Sequence, residues 1–221
     1  GKKKRVVIVG SGWGANALMK TLDTTVHEVI VVSPRNYFVF TPMLASSAVG
    51  TVEYRSIIEP VRWANSNLEY QEAMAMDVDT KRKVVHCKAV AEKRDLEVPY
   101  DLLVLSVGMK TSTFGVPGVK ENCHFLKEIE HARALRTAII ENCEAASLED
   151  VSEERKRELL TFVVVGGGPA GVEMSGELFD FLNEDLKKIY PKLVPYVSTK
   201  LVESGGTLIP QFDTPLQKKT I

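Results

Sequence analysis

Two glycine-rich segments carry the residues of this sequence that are best placed to do chemistry. The first follows an unbroken β-branched run at residues 6–9 and reads Gly10, Ser11, Gly12, Trp13, Gly14 and Ala15. A GxGxxA pattern between a buried strand and a helix is typical of a turn that binds the pyrophosphate of a dinucleotide. The first glycine permits the tight turn, the second lets the backbone approach the phosphates, and the small sixth residue lets the helix pack closely on the strand. The pyrophosphate would then lie against free N–H groups at the positive end of a helix.

The second segment repeats this pattern 156 positions later, after the apolar run at residues 162–165. Its candidate phosphate-binding residues are Gly166, Gly168, Pro169, Ala170 and Gly171. One such pattern is weak evidence, because an ordinary glycine turn is the common alternative. Two copies in matched strand–turn–helix contexts are much stronger evidence. The sequence therefore predicts an α/β protein with two Rossmann-like dinucleotide-binding domains.

The residue that ends the second strand of such a unit selects the nucleotide. In the second unit this position is Glu203, whose carboxylate can accept both ribose hydroxyls and would repel a 2′-phosphate, which favours NADH over NADPH. Glu203 comes 37 residues after Gly166, whereas about 20 is usual. A long intervening helix would absorb the excess, and an ordinary surface glutamate is the alternative.

In the first unit the same position is Ser33, followed by Pro34 and Arg35. A serine with a nearby arginine suits a 2′-phosphate, so an NADPH site is a rival to an FAD site here. The local chemistry leaves both open.

Strands and helices that would position these turns can be read along the whole chain. We expect buried strands at residues 6–9, 29–32, 100–107 and 162–165, short alternating strands within 68–100, and a last strand at 201–202. We expect helices after each glycine turn and at residues 129–146, and a charged helix capped by Ser147. The glycines and proline at 115–118 mark a junction between a domain of residues 1–115 and one of 116–221.

Composition excludes several classes of protein. The 221 residues are 44% apolar and 26% charged with a net charge of −1, which is ordinary for a globular protein and gives no reason to expect nucleic-acid binding. The three cysteines are widely spaced without a CxxC pair, so we expect neither a metal site nor a disulfide framework. The longest continuous apolar run is far too short to cross a bilayer. Membrane attachment would be peripheral or lie outside these residues.

Several segments resemble the type II, or alternative, NADH:ubiquinone oxidoreductases, in the form found in mitochondria of fungi, plants and protists. They lie at residues 10–15, 33–38, 40–44, 50–52, 56–60, 124–128 and 163–178. In that family the first fingerprint holds FAD, and a Ser-Pro-Arg replaces the usual acidic ribose ligand. The resemblance therefore favours FAD over NADPH at the first turn. It implies two domains of the two-dinucleotide flavoprotein type, with the second incomplete.

The resemblance also implies roles for individual residues. Ser33 and Arg35, flanking Pro34, would contact the adenosine end of FAD; Thr41 and Pro42 would lie beside the isoalloxazine ring. Val107 and Gly108 would close over the flavin, while packing is the alternative for Trp13. Glu173 would lie near the nicotinamide; since we place it in the first turn of its helix, favourable interaction with the helix dipole is an equally good explanation.

The function implied is transfer of a hydride from NADH to FAD, followed by electron transfer to a quinone, in a respiratory dehydrogenase that does not pump protons. We expect peripheral association with the mitochondrial inner membrane, as a homodimer or in a larger respiratory assembly. Disulfide reductases and sulfide:quinone enzymes fit less well, because they need paired cysteines. The family's later NADH-domain, FAD-closing and quinone-binding segments are not in these 221 residues. A truncated, non-catalytic relative that serves as a structural or nucleotide-binding subunit is therefore the alternative.

Overall fold

The computed structural model describes residues 2–220, and these fold into two compact units. The first unit contains the residues up to Phe40 together with Ile58–Ser112, and the second contains Thr41–Ile57 together with the residues from Thr113 onward. The segment Thr41–Ile57 thus packs with the second unit although its neighbours in sequence on both sides belong to the first. The domain boundary that the sequence suggests after residue 115 stays a prediction.

Ten strands and nine α-helices follow one another within residues 2–220. In chain order they are β1 Lys4–Val9, α1 Trp13–Thr21, β2 His27–Ser33, β3 Tyr37–Val39, α2 Leu44–Val49, β4 Ile58–Pro60, α3 Val61–Ala64, β5 Glu69–Asp79, β6 Val84–Ala89, β7 Asp95–Pro99, β8 Leu102–Leu105, α4 Val119–Asn122, α5 Ile129–Ser147, α6 Glu153–Leu159, β9 Thr161–Val165, α7 Pro169–Asp180, α8 Lys187–Ile189, β10 Ser198–Val202 and α9 Thr214–Thr220. Short 3-10 helices occupy Thr41–Met43, Tyr54–Ile57 and Pro191–Tyr196, and a π-helix occupies Phe181–Leu186. None of these helices is both long and apolar enough to cross a membrane.

The first unit is organised around a six-stranded sheet in the order β7-β6-β5-β2-β1-β8. Strands β8, β1, β2 and β5 run parallel, and β5, β6 and β7 are antiparallel. Alternate residues of β1 and β2 point to opposite faces, so that Ile8 and Val31 belong to one apolar cluster and Val7 and Val32 to another. The strands predicted at residues 6–9 and 29–32 are confirmed, and they lie at the buried centre of the sheet.

Strand β8 differs from its prediction. It pairs in parallel with β1 as expected, but Leu102 and Leu105 are 48% and 64% exposed. The prediction of a strand buried throughout is therefore wrong. The reason is that strand side chains point to the faces of the sheet, and the described residues leave these two side chains incompletely covered.

The second unit contains the parallel pair β9 and β10, with α7 between them in sequence. The strand predicted at residues 162–165 forms, but Val163 and Val165 are 53% and 75% exposed, so its predicted burial is wrong. Strand β10 is its one strand neighbour in residues 2–220. The helix predicted at residues 129–146 is confirmed as α5, which buries Ala132, Ile139 and Cys143.

The predicted cap at Ser147 is wrong. Ser147 is the last residue of α5, and its hydroxyl donates to the carbonyl of Glu144 at 2.7 Å. The charged helix α6 begins later and is capped by Ser152, whose Oγ accepts the N–H of Arg155 at 3.2 Å. Serine hydroxyls readily bond a carbonyl three residues back, which is why a serine near a helix boundary can close one helix rather than open the next.

Candidate functional site

The first glycine turn joins β1 to α1. Gly10 has a φ of +119°, and its N–H donates to the carbonyl of Val32 in β2 at 2.8 Å. A Cβ at Gly10 would overlap the carbonyl oxygen of Ser106, so no other residue fits. Gly12 is the N-cap of α1, and Ala15, within that helix, is fully buried. The turn therefore has the tight bend and the close helix packing that the GxGxxA pattern predicts.

Three polar residues meet behind this turn. Ser33 is buried at the end of β2, and its Oγ donates to the Oγ of Ser11 at 3.0 Å. The backbone N–H of Arg35 donates to the Oγ of Ser33 at 3.2 Å, and the Nε of Arg35 donates to the Oγ of Ser11 at 3.4 Å. Pro34, between Ser33 and Arg35 in sequence, is exposed. The structure thus brings the Ser-Pro-Arg segment to the first turn, where it supplies hydroxyls and a positive charge in place of a carboxylate.

Trp13 lies at the mouth of the same turn, as the first residue of α1. Its ring packs edge-on against Phe38 with centroids 5.0 Å apart and lies 5.4 Å from the ring of Phe40. Half of the Trp13 surface remains exposed. This aromatic cluster accounts for its packing, while contact with a cofactor stays a prediction.

The end of β8 also reaches the first turn. The N–H of Ser106 donates to the carbonyl of Val9 at 2.8 Å, and the carbonyl of Ser106 lies against Gly10. Val107 and Gly108 come directly afterwards and are exposed, with Gly108 at a φ of +68°. The structure brings this predicted pair to the same end of the sheet as Gly10.

Thr41 and Pro42 belong to the second unit. They form the exposed 3-10 helix Thr41–Met43, which runs directly into α2. Ser46 in α2 donates to the carboxylate of Glu177 in α7, 131 residues away. Sequence reasoning missed Glu177, since no local pattern links residues so far apart.

The second glycine turn repeats the first. Gly166 has a φ of +114° and donates its N–H to the carbonyl of Val202 at 2.8 Å. Gly168 is the N-cap of α7 and Pro169 its first residue, followed by Ala170. A Cβ at Gly171 would overlap the carbonyl oxygen of Gly166, so the third glycine is required by close packing within the turn.

Glu203 follows β10 and reaches this turn despite its separation in sequence. One carboxylate oxygen accepts the N–H of Gly167, and the other accepts the N–H of Gly205 at 2.7 Å and the hydroxyl of Ser204 at 3.0 Å. The hydrogen bond from Gly205, then those from Gly167 and Ser204, lower the pKa of Glu203 because they favour the charged form. The extra residues between Gly166 and Glu203 form the helical segments from α7 to Tyr196, as the predicted long helix requires.

Glu173 needs a correction. It is exposed and lies in the second turn of α7, because that helix begins at Pro169 and its first turn contains no acidic residue. The placement in the first turn was wrong, and the helix-dipole explanation loses force because that effect falls off beyond the first turn. Its role near a nicotinamide stays a prediction.

Two glycine turns, each at a helix N-terminus beside parallel strands, are typical of α/β proteins that bind dinucleotides. The chain belongs to the pyridine nucleotide-disulphide oxidoreductase family, whose model matches residues 4–220. This confirms the predicted Rossmann-like fold class.

The similar proteins within this family include NADH- and NAD(P)H-ubiquinone oxidoreductases. The chain is 47% identical to the external NADH-ubiquinone oxidoreductase 2, mitochondrial, of Saccharomyces cerevisiae, an alignment that covers 98% of this chain and 41% of that protein. It is 44% identical to the external alternative NAD(P)H-ubiquinone oxidoreductase B3, mitochondrial, of Arabidopsis thaliana, covering 96% of this chain and 38% of that protein. The solved structure of NDH2 from Plasmodium falciparum in complex with NADH matches with a TM-score of 0.94 and 33% identity, over 98% of this chain and 45% of that one. The predicted resemblance to the type II enzymes is confirmed, and the chain spans about two fifths of the length of these curated relatives.

Proposed function

We propose that this chain binds FAD at the first glycine turn and NADH at the second, as part of an enzyme that transfers a hydride from NADH to FAD and passes the electrons to a quinone. The observation that carries this proposal is the open space beside the second glycine of each turn. A Cβ at Gly12 would meet only a guanidinium nitrogen of Arg35, 3.9 Å away, and a Cβ at Gly168 would meet nothing within 4 Å. These are the positions at which a pyrophosphate approaches the backbone.

The first turn combines helix N–H groups with a cation and no carboxylate, and the resemblance of its Ser-Pro-Arg segment to the type II enzymes favours FAD over NADPH there. The N-terminus of α1 would hold the pyrophosphate, and Ser33 and Arg35 would contact the adenosine end. Val107 and Gly108 would lie over the flavin. When bound, FAD supplies the two-electron acceptor, and the protein contributes alignment and exclusion of water.

The second turn fits NADH because Glu203 places a negative charge beside the cradle. The N-terminus of α7 would hold the pyrophosphate, and Glu203 would accept ribose hydroxyls or repel a 2′-phosphate. A carboxylate offers about four acceptor positions, so a ribose hydroxyl can be added to or exchanged for the present bonds. Thr41 and Pro42 beside the flavin and Glu173 near the nicotinamide would complete the reacting region.

The names of the relatives support two further parts of the proposal. Proteins that are 44–47% identical to this chain are described as mitochondrial ubiquinone oxidoreductases. These names support a mitochondrial setting with a quinone as the acceptor. We further propose peripheral association with the inner membrane and a homodimer or larger respiratory assembly.

The test is anaerobic titration of the purified, flavin-bound protein with NADH. We expect the absorbance of oxidised flavin to bleach with NADH and to return when a short-chain quinone is added. A preparation that takes up no FAD, or whose flavin NADH does not reduce, would overturn the proposal in favour of a non-catalytic nucleotide-binding role.

Two variants of one helix sharpen this test. Gly171→Ala should keep the flavin colour but weaken NADH binding by about tenfold or more, because its Cβ would overlap the Gly166 carbonyl and displace the turn. Gly176→Ala, also in α7, has no atom within 4 Å of its new Cβ and should behave as the wild type.

A further inference from the structure

Segment Thr41–Ile57 belongs to the second unit, although the residues on both sides of it belong to the first. Its central helix, α2, is short, yet all six of its residues are buried, from Leu44 to Val49. It packs against α5 and α7 of the second unit. Because the 3-10 helix Thr41–Met43 runs into α2 without a linker, the packing of α2 fixes where Thr41 and Pro42 lie.

The Glu177 carboxylate bonds both to α2 and to the turn that follows it. Oε1 of Glu177 accepts the hydroxyl of Ser46 at 2.6 Å, and Oε2 accepts the hydroxyl of Thr51 at 3.1 Å. Ser46 is 8% exposed, so its hydroxyl has little access to water and depends on this partner. Hydrogen bonds to an ionised carboxylate are stronger than those between neutral groups.

Ser46 also stabilises this turn through its backbone. Its carbonyl accepts the N–H groups of Gly50, Thr51 and Val52 at 3.0, 2.9 and 3.3 Å. Gly50 has a φ of +90°, and a Cβ there would overlap the guanidinium of Arg136 in α5. The turn is therefore held by α5 on one side and by the Glu177 carboxylate of α7 on another.

Helix α7 begins at the second glycine turn, with Gly168 as its N-cap. Glu177 lies two turns along the same helix. On the basis of the proposed function, we propose that Glu177 is a positioning residue for hydride transfer: through Ser46 and Thr51 it ties the segment bearing Thr41 and Pro42 to the helix whose N-terminus binds NADH. Its carboxylate would act through that segment rather than on the reacting atoms.

The test is single-turnover reduction of the flavin-bound protein by NADH, with the rate constant expressed per bound flavin. In Glu177→Ala both hydroxyls lose their acceptor, and we expect the rate constant at saturating NADH to fall about tenfold while the Kd for NADH stays within about twofold, because misplacement affects alignment more than binding. Glu177→Gln keeps one acceptor oxygen for Ser46 and should stay within about threefold of the wild type. The matched control is Glu184→Ala, an exposed glutamate of the helical run that follows α7, which should change neither quantity.

A purely structural role would give a different result. Glu177→Ala would then lose flavin content or thermal stability while each remaining flavin was reduced at the wild-type rate, and the proposal would be overturned. Ser46→Ala combined with Glu177→Ala should lower the rate constant no further than Glu177→Ala alone, because both changes break the same contact.

Amide hydrogen exchange separates this inference from the proposed function. In the full protein we expect the N–H groups of Gly50, Thr51 and Val52 to exchange about tenfold faster in Glu177→Ala, because opening of this turn becomes easier. Unchanged exchange would overturn the anchoring role even if NADH reduces the flavin. If NADH does not reduce the wild-type flavin, the proposed function fails, and the exchange rates alone decide whether Glu177 anchors the segment.

Discussion

The glycine turns at Gly10 and Gly166 are two copies of one backbone plan. Both glycines have φ angles near +115°, at +119° and +114°, and each donates its N–H to a valine carbonyl of the next parallel strand at 2.8 Å. Each turn ends at an N-cap glycine, Gly12 or Gly168, that opens a helix. A phosphate would meet nearly the same peptide geometry at either turn.

The side chains beside the two turns differ in charge. Ser33 is buried and neutral, and it is bonded to Ser11 and to the N–H of Arg35. Glu203 is an ionisable carboxylate that accepts the N–H groups of Gly167 and Gly205. The backbone would therefore supply the phosphate site in both turns, while the residue at the end of the second strand would set which nucleotide suits it.

The two turns also differ in which glycine lies against a backbone carbonyl. In the first, the Cα of Gly10 faces the Ser106 carbonyl, and the methyl group of Ala15 is accommodated. In the second, the space beside Gly166 is open, and it is Gly171 that faces a carbonyl. Equivalent substitutions in the two turns should therefore have unequal effects.

The largest such difference is expected at the first glycine. Gly10→Ala forces both an unfavourable φ and an overlap with Ser106, and should lower the free energy of unfolding by about 3 kcal/mol or more and reduce flavin content. Gly166→Ala causes only the backbone strain and should lower the free energy of unfolding by about 1–2 kcal/mol. Urea unfolding monitored by fluorescence measures both. Equal losses would show that the contact with Ser106 does not distinguish the turns.

The next effect concerns the choice of nucleotide. Glu203→Gln removes the negative charge while keeping an acceptor oxygen, and the ratio of kcat/KM for NADH to that for NADPH should fall about tenfold, since repulsion of the 2′-phosphate is lost. Glu184→Gln, which removes an exposed charge elsewhere in the unit, is the control. An unchanged ratio would mean that Glu203 serves only to hold the loop of Gly167 and Gly205.

Both turns could be predicted from sequence because their signals are local. An apolar run, spaced glycines and a helix are neighbours in the chain, and each shapes the next few residues directly. The approach of Glu203 to the second turn was also predictable, since the end of a parallel strand next to β9 must lie there whatever fills the 37-residue interval.

Other features depend on partners distant in sequence. The exposure of Leu105 and Val165 depends on what packs over the faces of β8 and β9, which an apolar run does not reveal. The contact of Glu177 with Ser46 joins residues 131 positions apart. At the first turn, Ser33 and Arg35 suited FAD and NADPH equally on local chemistry, and the preference for FAD came from resemblance.

A smaller effect is expected at the serine behind the first turn. Ser33→Ala removes a buried hydroxyl that donates to Ser11 and accepts from Arg35, and should lower the free energy of unfolding by about 1 kcal/mol. Ser204→Ala removes an exposed hydroxyl beside the second turn and should change it by less than about 0.5 kcal/mol. If the two variants are equally stable in urea, burial of the Ser33 network does not strengthen the first turn.

The smallest effect should be present at neutral pH and disappear in acid. The pKa of Glu203 is lowered in the folded protein below the ordinary glutamate value of 4.5, chiefly by hydrogen bonds from Gly205 and Gly167. Its contribution to stability is therefore fully present above that ordinary value and is lost as the pH falls through the lower, folded-state pKa. We expect wild type and Glu203→Gln to differ in urea midpoint at pH 7 and to converge as the pH falls below 4.5, with the difference small because the side chain is solvent-accessible. Ser33→Ala should differ from wild type in urea midpoint by the same amount at neutral and at acid pH, since the first turn places no titrating carboxylate at that position. If the difference in urea midpoint is independent of pH for both variants, this contrast between the turns is contradicted.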